Sequence, residues 1–388
     1  METKHVTATT THFRVGNGDM MLIVTDGGKR ILVDCNIRQS ADDPETEHAD
    51  VAAQLRERLK LDANGRLYVD AFLLTHPDQD HCRGLKRHFH LGKLSDWSST
   101  ADKIVIKEMW SSPVVFRRAS KNHSLCDDAL AWSSEARRRV TEFRKAGWLG
   151  EGDRILVMGE DEDGKTDDLG SILIKVDQEF WTIDAQSDIL NFTARLLSPI
   201  PTGDAVVEEI LSKNDSSVVI NVAFRSYATD IAHYLIGGDA EVAIWERIWG
   251  RNKDRSSRLE YDVLIAPHHC SWHSLSYHSW SLFGEEAEVS EEARKALGQA
   301  KDGAMILASS KPILDDDNDP PCIRAKREYE SILSPKKGSF RCVSDGSGDA
   351  PYELEVTSGG VKPKPKKAAA SVSSPYVTGV GSQPLSHG

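Results

Sequence analysis

The sequence predicts an α/β chain in which layered strands carry polar clusters at their ends. Three observations predict it. The first half is rich in hairpin signals, the second half alternates strands with helical spacings, and short apolar runs stop at groups of His and Asp. The chain has 388 residues, 48 Lys+Arg against 60 Asp+Glu and a formal net charge of -12. Its apolar fraction of 39%, without the 28 Gly, is that of a globular protein and excludes a wholly disordered or fibrous chain. No run approaches the roughly 18 apolar residues of a membrane span, so no membrane association is expected. Met1–His5 shows no apolar leader and the six Cys form no CxxC pair, so a cytoplasmic protein without a disulfide framework is expected. The acidic total excludes a protein that coats nucleic acid by bulk charge.

The elements follow in order. Thr11–Val15 alternates, then Gly16-Asn17-Gly18-Asp19 punctuates. Met20–Thr25 and Arg30–Asp34 read as a hairpin across Asp26-Gly27-Gly28-Lys29. Val51, Leu55 and Leu59 give helical spacing within Glu47–Leu61, and Val69–Thr75 is a strand apolar enough to be buried on both faces. Leu91–Asp168 is less regular and reads as an insertion. It carries a strand at Lys103–Met109, a basic helix at Ser134–Lys145 and an acidic loop at Glu160–Asp168. Ser217–Phe224 and Ile231–Ile236 read as antiparallel strands. Ala240–Trp249 reads as a helix, Tyr261–Ala266 and Met305–Ala308 as strands, Cys322–Leu333 as a helix and Glu353–Val356 as a strand. From Ser358 onward Gly, Pro, Lys, Ala and Ser dominate, and 358–388 is expected to be a disordered tail after one large domain over 1–357.

The strongest chemical signal is Thr75-His76-Pro77-Asp78-Gln79-Asp80-His81 directly after a buried strand. Two His and two Asp in one turn need partners, and a divalent cation supplies them. Gly237-Gly238-Asp239 and Pro267-His268-His269 end two further strands. Asp239 alone fits the N-cap of the following helix equally well. Three such clusters in one chain point to metal.

These motifs resemble the metallo-β-lactamase superfamily, and within it the ComEC-like branch. Similar to that branch are Val15-Gly16-Asn17-Gly18-Asp19, Ile31–Asp34, His76–His81 with Gly84-Leu85, Asn214–Val219, Gly237–Asp239 and Pro267–Ser271. The resemblance implies an αββα sandwich of two mixed β-sheets flanked by helices. It implies that His76 and Asp78 face one metal, Asp80 and His81 a second, that Asp239 bridges them, and that one of His268 and His269 completes the second site. Asp34 would orient a ligand from outside the metal shell. The chain departs from the superfamily's HxHxDH motif, because Asp78 replaces the second His. Asn214-Asp215-Ser216-Ser217 stands where a further His is usual, and Cys270 stands where the branch has Gly. An oxygen-rich first site suits Mn²⁺ or Mg²⁺, whereas imidazole suits Zn²⁺. A left-handed backbone at Cys270 would be strained.

The expected cofactors are two divalent ions, Zn²⁺ or Mn²⁺ with Mg²⁺ possible, and the expected nucleophile is metal-bound hydroxide, with Asp78 or Asp80 relaying its proton. No GxSxG elbow or P-loop supplies another nucleophile. The expected activity is hydrolysis of a phosphodiester, in nucleic acid or a cyclic nucleotide. The alternatives are a hydrolase of a lactone, thioester or amide, and a non-catalytic metal-binding interaction module. Asn214, Ser216 and Ser217 are candidate donors to a phosphate oxygen, or turn caps. His273, among Trp272, Tyr277 and Trp280, is a candidate substrate-facing residue. Arg83, Lys86, Arg87, Arg117, Arg118, Lys121, Arg137–Arg139, Arg144 and Lys145 form either a solvated face or an anion-steering rim.

Overall fold

The computed structural model describes residues 5–42, 49–113, 125–161, 164–201, 213–345 and 348–365. Two mixed sheets face each other between helical layers. In the first, Val6–His12, Met21–Thr25 and Arg30–Val33 pair antiparallel. Leu67–Leu74, Ile104–Ser111, Arg154–Met158 and Leu173–Ile174 then extend it in parallel. In the second, Glu179–Phe180, Phe192–Ser198, Val219–Ser226 and Thr229–Ile236 are antiparallel. Tyr261–Ile265, Ala300–Ala308 and Ser339–Cys342 extend that sheet in parallel.

Side-chain alternation builds the layers. Ile23, Ile31, Val33, Leu73 and Trp110 point from the first sheet into a core shared with Phe192, Leu196, Ile220, Val222, Tyr234 and Ile265 of the second. Leu22, Leu32, Phe72 and Leu74 point the other way, under the helix Asp127–Ala146. That helix buries Ala129, Trp132, Ala136, Val140 and Phe143 as one stripe. The outer face of the second sheet is covered by Val242–Asn252, Glu291–Leu297 and Ile323–Leu333, around Trp245, Leu264, Ile306 and Tyr329. Leu67–Leu74 reads as a continuous apolar run because both of its faces are covered.

Two stretches differ from the sequence reading. Within 91–168, the strands Ile104–Ser111 and Arg154–Met158 lie inside the first sheet, and the helix Asp127–Ala146 covers it. The polar loops around them hid this. The tail does not begin at 358. Gly360–Pro363 folds back on Tyr352–Thr357 as an edge strand, because the Ser358-Gly359-Gly360 turn reverses the chain with Gly360 at φ 89°. Residues 366–388 lie outside the described residues, as do Arg117, Arg118 and Lys121. Glu47–Leu61 shortens to the helix Val51–Arg56, and Lys60–Leu61 pairs with Leu67 and Tyr68. Among the described residues, no helix is long and apolar enough to cross a membrane.

One buried carboxyl makes the fold pH-dependent. Glu108 accepts from Trp110 Nε1 (2.6 Å) and Ala185 N (3.2 Å), and burial pushes its pKa up to about 7 from 4.5. Between these values the folded protein keeps a proton that the unfolded chain has released. Stability therefore falls as pH rises from about 4.5 to 7, by on the order of 2–3 kcal/mol. Urea titrations across pH 4.5–8 are expected to show this fall in the parent and a flatter profile in Glu108→Gln.

Candidate metal centre

The site lies where parallel strands of both sheets end. Arg30–Val33 runs into Asp34, Leu67–Leu74 into Thr75, Thr229–Ile236 into Gly237 and Tyr261–Ile265 into Ala266. Main-chain bonds join the ends: Asp34 N to Leu73 O, Val218 N to Thr75 O and His268 N to Gly238 O, at 2.9–3.0 Å. Gly238 has φ 50°, and a Cβ there would sit 2.9 Å from Thr75. Only glycine lets the Asp239 loop seat against the His76 loop.

Asp34 is fully buried at φ 54°. Its Oδ1 accepts from Thr75 N (2.7 Å), and its Oδ2 accepts from Thr75 Oγ1 (2.6 Å) and His81 Nδ1 (2.8 Å). Because the Thr75 hydroxyl proton goes to Asp34, its oxygen accepts from His76 Nδ1 at 3.1 Å. Both rings therefore hold Nδ1–H outward and aim Nε2 inward. His81 Nε2 meets Asp239 Oδ1 at 3.0 Å, and His76 Nε2 meets Asp239 Oδ2 at 3.4 Å. Lone pairs facing a carboxylate repel unless a proton or a cation lies between them.

The seven residues assigned to metal from the sequence converge on Asp239. His269 Nε2 lies 3.5 Å from Asp239 Oδ2, 3.4 Å from Asp80 Oδ2 and 3.3 Å from His81 Nε2. His268 Nε2 lies 3.7 Å from Asp239 Oδ2, and His76 Nε2 lies 3.8 Å from Asp78 Oδ2. Both paired imidazoles thus face the cluster, rather than one of them. His76 and His268 turn Nε2 to the same oxygen of Asp239, at 3.4 and 3.7 Å. Asp239 is not a helix cap, since the helix Val242–Asn252 has Glu241 at its N-cap.

Asp19 joins them, with Oδ1 3.8 Å from His269 Nδ1. Asp19, His81, Asp239 and His269 each place a ligand atom within 4.8 Å of the others, and all four are buried, so this group could hold a metal ion. The sequence reading quoted Asp19 as part of the glycine turn but did not count it as a ligand. Its signal was the same as that of Asp239, an Asp directly after a Gly that follows a strand.

Charge coupling is strong in the metal-free cluster. Burial works against charge on His81, but Asp239 and Asp34 outweigh it and hold the imidazolium well above its usual range. Burial likewise opposes charge on His269, yet Asp239, Asp80 and Asp19 raise it to about 10. Asp239 and Asp80 are held below the carboxylate range, against burial, by His269 and His81. Asp19 is raised by burial in spite of His269. The two ring protons thus neutralise carboxylates that a cation would otherwise neutralise. His76 Nε2 faces Asp239 and is buried without a hydrogen bond, as a nitrogen that ligates a cation would be, whereas the unbonded His268 Nδ1 faces Glu241. His269 Nδ1 lies 3.3 Å from Gly18 N, so Nε2 is the ring atom turned toward Asp239 and Asp80.

The remaining candidates divide. Asn214 Nδ2 donates to Glu241 Oε1 (2.8 Å), and Glu241 lies 3.8 Å from His268 Nδ1. Ser216 is buried in the 3-10 turn Lys213–Ser216. Ser217 Oγ is buried without a hydrogen bond, and a Cβ on Gly238 would lie 3.5 Å from its Cβ. His273 stands apart, 3.9 Å from Asp319, and Trp272 and Trp280 pack in the outer core. Cys270 is buried, lies outside the ligand group and takes φ 71°, the strained conformation that the sequence raised. The Arg137–Arg139 run is not a rim. Arg138 and Arg139 bind Glu135, and Arg139 also holds the carbonyls of Ile106 and Arg154.

No family model matches the chain, and no curated protein resembles it closely enough to count as a relative.

Zn²⁺ or Mn²⁺ added to chelator-treated protein is expected to raise the melting temperature, by about 2.7 kcal/mol of stability at 100 times Kd. Calorimetry in two buffers of different ionisation enthalpy is expected to show proton release from His81 and His269. An unchanged melting temperature with no binding heat would sink the cation site. Asp34→Ala is expected to weaken cation affinity roughly 10–100-fold.

Proposed function

We propose that the protein is a metal-dependent hydrolase of the metallo-β-lactamase type that acts on a phosphodiester. The observation that carries this reading is the convergence, at one edge of two facing sheets, of His76, Asp78, Asp80, His81, His268 and His269 around the single carboxylate of Asp239. The ring orientation of His76 and His81 and the motif order along the chain support it. In this reading His76, Asp78 and His268 would hold one divalent ion, Zn²⁺ or Mn²⁺, and Asp19, Asp80, His81 and His269 would hold another, with Asp239 facing both groups of side chains. Such ions supply Lewis acidity and lower the pKa of water.

The chain's own residues do the rest. Asp34 and Thr75 hold the His76 and His81 rings against rotation, so their Nε2 atoms stay aimed inward. Asp78, at 27% side-chain exposure, and Asp80, at 34%, are the carboxylates on the open side. Asp80 is held ionised by His269 and His81 and is a weak base at neutral pH. Asp78 and Asp80 are the carboxylates placed to take a proton from attacking water, and Asp80 also faces His269.

A second reading has one observation in its favour. His268 beside His76 makes the first half richer in imidazole than the sequence implied, which suits hydrolysis of a lactone, thioester or amide.

The test is a panel of bis-p-nitrophenyl phosphate, single-stranded DNA, RNA, cyclic nucleotides and a lactone, each with Mn²⁺, Zn²⁺ or Mg²⁺. Phosphodiester turnover that falls at least 100-fold in Asp239→Asn and Asp80→Asn is the expected result. Turnover of the lactone alone would overturn the phosphodiester reading. Retained biological activity in folded Asp80→Ala would favour a non-catalytic module.

A further inference from the structure

Two arginines beside the cluster have no carboxylate of their own. Asn36 and Arg83 bridge in parallel, and Ile37 N donates to Arg83 O at 2.9 Å, so the segment carrying Arg38 lies along the end of the short helix Gln79–Cys82. Arg87 fixes the same segment, since its NH2 donates to the carbonyls of Ile37 (3.4 Å) and Arg38 (3.0 Å). The Arg38 guanidinium lies over Gly16, where a Cβ would come within 2.8 Å of its NH2. Gly16 is at φ 76°, in the turn that delivers Asp19. Arg38 Nε is buried without a hydrogen bond, and both side chains are half-buried. Neither guanidinium pairs with a carboxylate within 4 Å among the described residues, in a chain of net charge -12. Burial, and then the charge of Arg83, lower the Arg38 pKa. The charge of Asp80 acts in the opposite sense. Arg38 and Arg83 therefore stand on adjoining, hydrogen-bonded segments, both half-buried, and Asp80 of the cluster is the acid whose charge acts on Arg38.

We propose that Arg38 and Arg83 form an anion clamp that binds a phosphate of the substrate, next to the Asp80 side of the cluster. Two partly desolvated guanidiniums repel each other, and an anion placed between them relieves that repulsion. Planar forks match phosphate oxygens in pairs, which a lysine does not do. The clamp deepens the phosphodiester reading and rests on it for the identity of the anion. The clamp takes a phosphate other than the scissile one, which an oligonucleotide offers and a single-phosphate cyclic nucleotide does not. The clamp also resolves the charge problem. An acidic protein can hold a polyanion where local cations stand at the site.

The first experiment labels chelator-treated full-length protein with phenylglyoxal, with and without tens of millimolar inorganic phosphate, and reads each arginine by peptide mass spectrometry. Phosphate is expected to slow labelling of Arg38 and Arg83 at least fivefold and to leave the exposed Arg255 unchanged. Equal rates at Arg38, Arg83 and Arg255 would overturn the clamp. The second measures anisotropy of a fluorescent 12-nucleotide single-stranded DNA without metal. Arg38→Gln and Arg83→Gln are each expected to weaken binding at least tenfold, and Arg38→Lys by less, with unchanged melting temperatures. Unchanged affinity in both Gln variants would also overturn it. Phosphate protection without turnover of any phosphodiester would leave the anion site standing and sink the hydrolase reading. Turnover with an unchanged KM in the Gln variants would do the reverse.

Discussion

The site depends on one buried carboxylate that is aimed away from it. Asp34 takes a left-handed conformation at the end of Arg30–Val33, which turns its side chain across to Leu67–Leu74 instead of onward into solvent. Asp tolerates that conformation better than a β-branched residue would. From there it takes the main-chain proton of Thr75, the hydroxyl proton of Thr75 and a ring proton of His81. The hydroxyl bond propagates one step further, because it makes Thr75 an acceptor toward His76. A single residue therefore sets the tautomer of two imidazoles. Without it each ring could turn its N–H inward, and the cluster would close on its own hydrogen bonds.

The opposite wall is held by strain. His268, His269 and Cys270 have φ of 49°, 54° and 71°, three successive non-glycine residues in the left-handed region. Such residues cost of order 1 kcal/mol or more each, and they persist only where surroundings over-determine them. Here His269 is fixed by Gly18 and Asp239, and His268 N by Gly238 O. Cys270 N binds Pro267 O and Cys270 O binds Cys322 N. The strained turn points both imidazoles to the same side, which an extended strand cannot do, since alternate side chains there face opposite ways. The glycine that the resembling branch has at Cys270 would relax the turn. Cys270 fills a packed apolar position in return.

Periodicity made the strands legible, because both sheets are covered and their apolar runs are short and bounded by turns. The polar clusters were legible because His and Asp at strand ends have few structural uses. What could not be read was partnership across the chain. Asp19 lies 62 residues from His81 and 250 from His269, and nothing local distinguishes it from a turn residue. Arg38 carries no motif at all, and its role follows only from Gly16 and Arg83 lying beside it. The Arg137–Arg139 run misled in the other direction. It reads as a charged face, but the helix Asp127–Ala146 turns Arg139 inward, where Glu135 and three carbonyls take its protons. The central strands within 91–168 were obscured by the polar loops that join them, since loop composition reports exposure of the loop and not of its neighbours.

The two halves around Asp239 are unequal, and the inequality has a direction. Asp19, His81, Asp239 and His269 are buried on every side. Asp78 and Asp80 keep about a third of their side-chain surface, and His268 keeps 17%. The buried half, which could hold a metal ion, brings four ligand atoms within 4.8 Å of one another. The open half offers one buried imidazole, one partly exposed carboxylate and a strained histidine. Under the proposed function, an ion in the buried half would be held the more tightly and the open half would admit substrate. Arg38 and Arg83 stand at the Asp80 edge, where the closed half gives way to solvent. A polyanion drawn to them would meet the cluster at Asp80, the one carboxylate beside His269 that keeps a third of its side-chain surface.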